Sequence, residues 1–164
     1  MPTPESTTDR IVKQVLLKAP VDRVWRALSD YREFSQWFCV NLDQPFETGK
    51  TNRGQLTYPG YEHLTMELAV HKMEKEKLFS YHWHPYAVDP SKDYSSEPPT
   101  LVEFILESQD GGTLLTVIES GFDALPTERR DEAWRMNDGG WTEQVANIET
   151  YVNQESRESN PAVS

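Results

Sequence analysis

The stretch Phe79-Ser80-Tyr81-His82-Trp83-His84-Pro85 alternates aromatic side chains with small or polar ones and holds two of the chain's four histidines. An alternation of period two marks a β-strand, so Phe79, Tyr81 and Trp83 share one face while Ser80, His82 and His84 share the other. The preceding run decides which face is inside. A short turn at Glu74–Lys77 pairs Met73 with Leu78, and carries the register to Val70 with Tyr81 and Leu68 with Trp83. Leu64, Met66, Leu68 and Val70 then join the aromatics in one apolar sheet face, which must be the buried one. The histidines are expected on the solvent side, with Ala69 opposite His82, Glu67 opposite His84, and His71 one diagonal away. Three imidazoles and a carboxylate are zinc-ligand types. A catalytic zinc needs a concave, supported setting that the outer face of a sheet does not offer, so no metal is expected there.

Working outward, Ile11–Lys18 is a β-branched and Leu-rich run that reads as a strand closed by Ala19-Pro20. A helix follows: Pro20 suits a first turn, Asp22 suits the dipole, and Val21, Val24, Trp25 and Leu28 recur at helical spacing. Asp30 with Glu33 resembles a capping box for a second short helix with Phe34, Trp37 and Phe38 on its apolar face. FETGKTNRG (46–54) reads as a turn-rich connection. The remaining strands are expected at Gln55–Pro59, Glu62–Met73, Leu78–Pro85, Leu101–Ser108 and Thr113–Phe122. The last element, Pro126–Val152, carries Trp134, Trp141, Val145, Ile148 and Val152 on one helical stripe. Gly139-Gly140 lie inside that helix, where each glycine costs on the order of 1 kcal/mol relative to Ala. They imply a kink, or the close approach of a ligand or a strand.

The Asp110-Gly111 pair signals a type I′ hairpin, which sets Leu106 against Leu115, Phe104 against Val117 and Val102 against Glu119. Glu119 is thereby placed on the apolar side. Desolvation raises the pKa of such a carboxylate and makes it a candidate acid or base, or an anchor for a polar ligand group. Pairing with Arg135 is the structural alternative, and a three-residue turn including Gly112 would reverse the parity. Between His84 and Leu101 lies PYAVDPSKDYSSEPPT, long enough to be a lid carrying Tyr86 and Tyr94 or a disordered excursion.

Composition narrows the classes. The 164 residues suit one domain, expected over 9–154, with polar tails at 1–8 and 155–164. A formal charge of -11 repels phosphate backbones and anionic lipids, so neither nucleic acid nor membrane is an expected partner. No apolar run approaches the roughly 18 residues of a membrane span, and the start has no signal pattern; a soluble, cytoplasmic protein is expected. The lone Cys39 supplies neither a disulfide nor an iron–sulfur cluster, and its simplest reading is a small buried hydrophobe. With no Gly-rich nucleotide fingerprint after a strand, no cofactor is expected.

Ala19-Pro20-Val21-Asp22-Arg23-Val24-Trp25-Arg26-Ala27-Leu28, Trp37-Phe38, Leu78 to Trp83, Gly112-Thr113-Leu114-Leu115-Thr116, Ser120-Gly121-Phe122 and Gly140-Trp141 together resemble the ordered landmarks of START-like, Bet v 1-like proteins. The subtype resembles the Hsp90 ATPase activator homologue 1-like domain of the SRPBCC superfamily, over about residues 10–153. The resemblance implies an α+β helix-grip fold: a curved antiparallel β-sheet wrapped around a long C-terminal α-helix, two short helices near the N-terminus, and a hydrophobic cavity between. It also implies a small hydrophobic or aromatic ligand, and Trp37, Phe38, Tyr58, Met66, Leu68, Tyr81, Trp83, Phe104, Val117 and Trp141 are the expected lining, with Asn137 and Glu119 orienting the ligand. One alternative is a cyclase or hydrolase using Glu119 as acid or base, with Tyr58 or Tyr81 donating to an oxyanion. The other is a protein-interaction module that docks a chaperone or another protein partner. Fold alone does not choose among them.

Overall fold

The structure, a computed structural model, describes residues 9–84 and 97–158, with side chains of the final helix described through residue 153. Segments 1–8 and 159–164, and the connection 85–96 with Tyr86 and Tyr94, lie outside the described residues. Seven strands form one antiparallel sheet: β1 (Arg10–Leu17), β2 (Val40–Leu42), β3 (Thr51–Leu56), β4 (Thr65–Glu74), β5 (Leu78–Trp83), β6 (Thr100–Gln109) and β7 (Gly112–Ser120), in the order β1-β7-β6-β5-β4-β3-β2. Helices α1 (Val21–Ser29) and α2 (Tyr31–Phe38) connect its two edges, and the 32-residue α3 (Thr127–Glu158) packs along the concave face. This is the helix-grip α+β architecture. The final helix runs to Glu158, past the boundary drawn at 154.

The aromatic strand faces as its alternation predicts: Phe79 and Tyr81 are fully buried, among the rings of Phe34, Phe46, Phe104 and Trp83. Val70↔Tyr81 and Ala69↔His82 pair as expected, but the hairpin tip does not. Its closing pair is Glu74↔Leu78, with Glu76 left-handed at φ 63°, and a bulge at His71 restores the register between Lys72 and Val70. The opposite face is less open than a solvated patch. Ser80 is buried, His82 and His84 are half-buried, and the rings of His71 and His82 meet edge-to-face at 5.0 Å. Burial, and then the neighbouring His71, lower the His82 pKa. Among the described residues, no group of three or more His, Cys, Asp or Glu side chains is disposed to hold a metal ion, and no helix is long and apolar enough to cross a membrane.

The segment read as a connection at 46–54 contributes β3, paired to β2 on one side and β4 on the other. Its polar pattern concealed it: Asn52 is buried, and its amide donates to the Gln44 carbonyl at 2.7 Å, a partner that local periodicity does not reveal. Gly54 lies so close to the Asn41 carbonyl that a side chain would collide with backbone. The β6–β7 hairpin is the expected two-residue turn, with Asp110 at φ 51° and Gly111 at φ 80°, and Val102↔Glu119 is in register. Cys39 is half-buried rather than buried; it stands at the end of α2, in the left-handed conformation at φ 66°.

Asp30 caps α2 by accepting from the Arg32 amide at 2.8 Å. Glu33 does not reach back to close a capping box. It lies between three elements instead, accepting from Arg23 (2.8 Å) and Arg26 (2.8 Å) of α1 and from the Tyr151 hydroxyl of α3 (3.0 Å). Burial, and then the Glu33 carboxylate, push the Tyr151 pKa up to about 12. Replacing Glu33 with Ala leaves the buried Arg23 without this carboxylate and is expected to cost about 3 kcal/mol. Urea unfolding checks this: a loss below about 0.5 kcal/mol, the scale of a surface pair, would show that the clamp is not structural.

Candidate functional site

A cleft of about 480 Å³ opens at one end of the grip, between α3 and the β3–β4 connection. Phe38, Leu56, Trp83 and Trp141 form its apolar walls, and Tyr58, Tyr61 and Met136 stand exposed at its mouth. Gly139 and Gly140 line it from α3. A Cβ built on either glycine meets no atom within 4 Å, so the pair faces open space rather than a strand. The helix therefore presents bare backbone to the cleft.

Glu119 lies beneath the walls, fully buried on β7. One carboxylate oxygen accepts from Trp83 Nε1 (2.7 Å) and the Thr100 hydroxyl (2.5 Å), and the other from Trp141 Nε1 (2.8 Å) and Asn137 Nδ2 (2.9 Å). A carboxylate offers about four lone-pair positions, and these four donors account for them. Two of the donors are indole N–H groups, which cannot accept, so the arrangement favours an ionised Glu119. Burial acts the other way and outweighs the hydrogen bonds, leaving the Glu119 pKa raised. Arg135, the partner weighed from the sequence, lines the cleft instead.

The expected lining thus divides. Phe38, Tyr58, Trp83, Asn137 and Trp141 border the cleft. Trp37, Met66, Leu68, Tyr81, Phe104 and Val117 are buried in the core and are not among its lining residues. Trp37 anchors α2 by donating its indole N–H to the Ala27 carbonyl at 2.8 Å, and the Tyr81 hydroxyl is buried without a hydrogen-bond partner among the described residues. Sequence reasoning missed Leu56, Tyr61, Arg135, Met136, Glu143 and Gln144 as lining residues. The signal for the helical ones was their spacing about the glycine pair.

Replacing Glu119 with Gln turns an amide N–H₂ toward an indole N–H, which only donates, whichever oxygen it replaces. Each buried donor left unpaired costs about 1–3 kcal/mol, so E119Q is expected to lower unfolding stability by about 3 kcal/mol and to alter the near-UV Trp signal. An E119Q protein as stable as the parent at pH 7 would mean that the carboxylate does not hold the walls. The raised pKa sets the sign of the pH dependence. Folded Glu119 keeps its proton above 4.5, so the stability from this group is fully present below pH 4.5 and is lost as pH rises through the folded pKa.

The family model of activator of Hsp90 ATPase homolog 1-like proteins matches residues 18–153. No curated protein is similar enough to match the chain. Among solved structures the chain is similar to a Mesorhizobium loti protein, at 22% identity over 88% of this chain and 97% of that one, with a TM-score of 0.70. DynU16, a protein of the dynemicin biosynthetic locus, is 24% identical with a TM-score of 0.67 over 88% of this chain, which covers 47% of DynU16 and so spans about half its length. The Aha1 dimer from Colwellia psychrerythraea is 13% identical, with a TM-score of 0.65 over 87% of this chain and 95% of that one. At these identities the likeness is one of fold.

Proposed function

Because the chain belongs to the family of activator of Hsp90 ATPase homolog 1-like proteins, whose fold commonly houses hydrophobic ligands, we propose that it reversibly binds a small apolar or aromatic molecule in the cleft between Trp83, Trp141 and the glycine pair. One observation carries this reading: two consecutive glycines in the middle of a long helix line an aromatic-walled cleft, with open space where their side chains would begin. Glycines there weaken the helix by on the order of 1 kcal/mol each and relieve no clash, so what they supply is room. A largely apolar cleft with a few polar groups at its edge is the usual form of a small-molecule site.

Within this reading Phe38, Trp83 and Trp141 make the apolar contacts, and Glu119 acts through them as a positioning residue. The cyclase or hydrolase alternative is less well supported, since the four acceptor positions of Glu119 are occupied by Trp83, Trp141, Thr100 and Asn137. Chaperone stimulation is the activity in the family's description; for this chain the cleft, not a docking surface, is the feature that supports a function. A cytoplasmic setting accords with the single free thiol.

Gly140→Leu tests the proposal. A Cβ at Gly140 meets no atom within 4 Å and the position lines the cleft, so the variant is expected to gain about 0.8 kcal/mol of stability from helix propensity. It is also expected to lose about tenfold or more in affinity for a neutral aromatic such as 2-methylnaphthalene, followed by Trp fluorescence. Parent protein that shows no saturable change with the hydrocarbon, or a variant that binds it as well as the parent does, would overturn the reading.

A further inference from the structure

The cleft-facing surface of α3 is built from ridges of residues four apart. One is Arg135, Gly139, Glu143 and the next is Met136, Gly140, Gln144, and all six line the cleft. In both ridges the middle residue is glycine. The helix surface therefore lacks one rung, and the gap is bounded along the axis by a cation on one side and an anion on the other. Eight residues separate the two charges, about 12 Å of helix rise, or roughly 6 Å from the gap to each.

The local charges make this polarity usable. Arg135 is exposed and makes no ion pair or hydrogen bond among the described residues, while Asp138, the acid closest to it in sequence toward the gap, is paired with Lys13 at 2.9 Å. At the other end the Tyr58 hydroxyl donates to one oxygen of Glu143 at 3.3 Å, leaving acceptor capacity on that carboxylate. Gln144 is already engaged, donating to the Phe38 carbonyl and accepting from Asn147. The two polar ends of the gap are thus a guanidinium that donates and a carboxylate that accepts, with aromatic walls between them.

Building on the cleft-binding reading, we propose that the ligand class is a flat aromatic acid with a hydroxyl or amine at its far end, seated across the missing rung with its carboxylate at Arg135 and its donor at Glu143. The rest of the surface, with a formal charge of -11, opposes an anion. Preference for the acid therefore has to come from Arg135 at short range, through the charge-assisted contact of a guanidinium with a carboxylate. A neutral hydrocarbon still binds through the walls, but without a fixed orientation.

The test titrates the parent, Arg135→Gln and Glu143→Gln with 6-hydroxy-2-naphthoate, its methyl ester, 2-naphthoate and 2-methylnaphthalene, following Trp fluorescence. Arg135 and Glu143 are both exposed, so the variants are expected to fold, and a thermal melt verifies it. In the parent the hydroxy acid is expected to bind about tenfold or more tightly than its methyl ester, and more tightly than 2-naphthoate. Arg135→Gln is expected to abolish the preference for acid over ester while leaving the hydrocarbon unchanged. Glu143→Gln is expected to reduce the preference for the hydroxyl alone. An ester that binds the parent as well as the acid, or an acid preference that survives Arg135→Gln, would overturn the ligand class while saturable hydrocarbon binding leaves the cleft reading standing. No saturable response to any of the four compounds would overturn both.

Discussion

A single buried carboxylate, with no cation paired to it among the described residues, holds the open end of the grip together. Glu119 sits on β7, yet its four donors come from the start of β6, the end of β5 and two positions one turn apart on α3. It thereby ties the sheet to the helix at the place where the grip is open. Neutral donors suit the task. Four hydrogen bonds share the burden of desolvation in fixed directions, and two of them fix the planes of the indoles that wall the cleft. A bound guanidinium would have answered the charge but could not have oriented two rings.

Beside the cleft the aromatic core packs ring against ring. Phe34, Phe79, Tyr81 and Phe104 meet one another and Trp37 by edges and offset faces, as aromatic quadrupoles favour. The cleft opens at the end where α3 lacks side chains and where the β3–β4 connection brings Tyr58 and Tyr61 alongside. At the other end Glu33 fastens α1, α2 and α3. The Glu33 cluster and the cleft thus lie on different parts of α3.

What the sequence revealed followed from short-range rules. The alternation through Tyr81 and Trp83, the Asp110-Gly111 turn that brings Glu119 inside, and the stripe from Trp134 to Val152 all depend on period and parity, and the sheet, the helix and the buried carboxylate were legible from them. The partners of Glu119 were not, because Trp83 and Trp141 look like packing residues until their N–H groups are seen to converge from separate elements. Nor was β3, whose buried Asn52 is satisfied by loop carbonyls. Met66, Leu68 and Phe104 have the same burial signature whether they line a space or fill one, and pattern alone cannot separate the two. Gly139-Gly140 do line the cleft, and no strand approaches within 4 Å of where their side chains would begin.

The bulge at His71 gives the β4–β5 hairpin a tolerance that an uninterrupted ladder would lack. Beyond the bulge Val70 stays opposite Tyr81, while the tip closes on Glu74 and Leu78 with one spare residue on the β4 side. If a residue were lost from the tip, closing the bulge would leave a three-residue loop on a continuous ladder, with Val70 and Tyr81 still partnered. Length variation at the tip is thus absorbed at His71 before it reaches the aromatic face, and the outer loop is free to drift in evolution while the inner wall keeps its alignment.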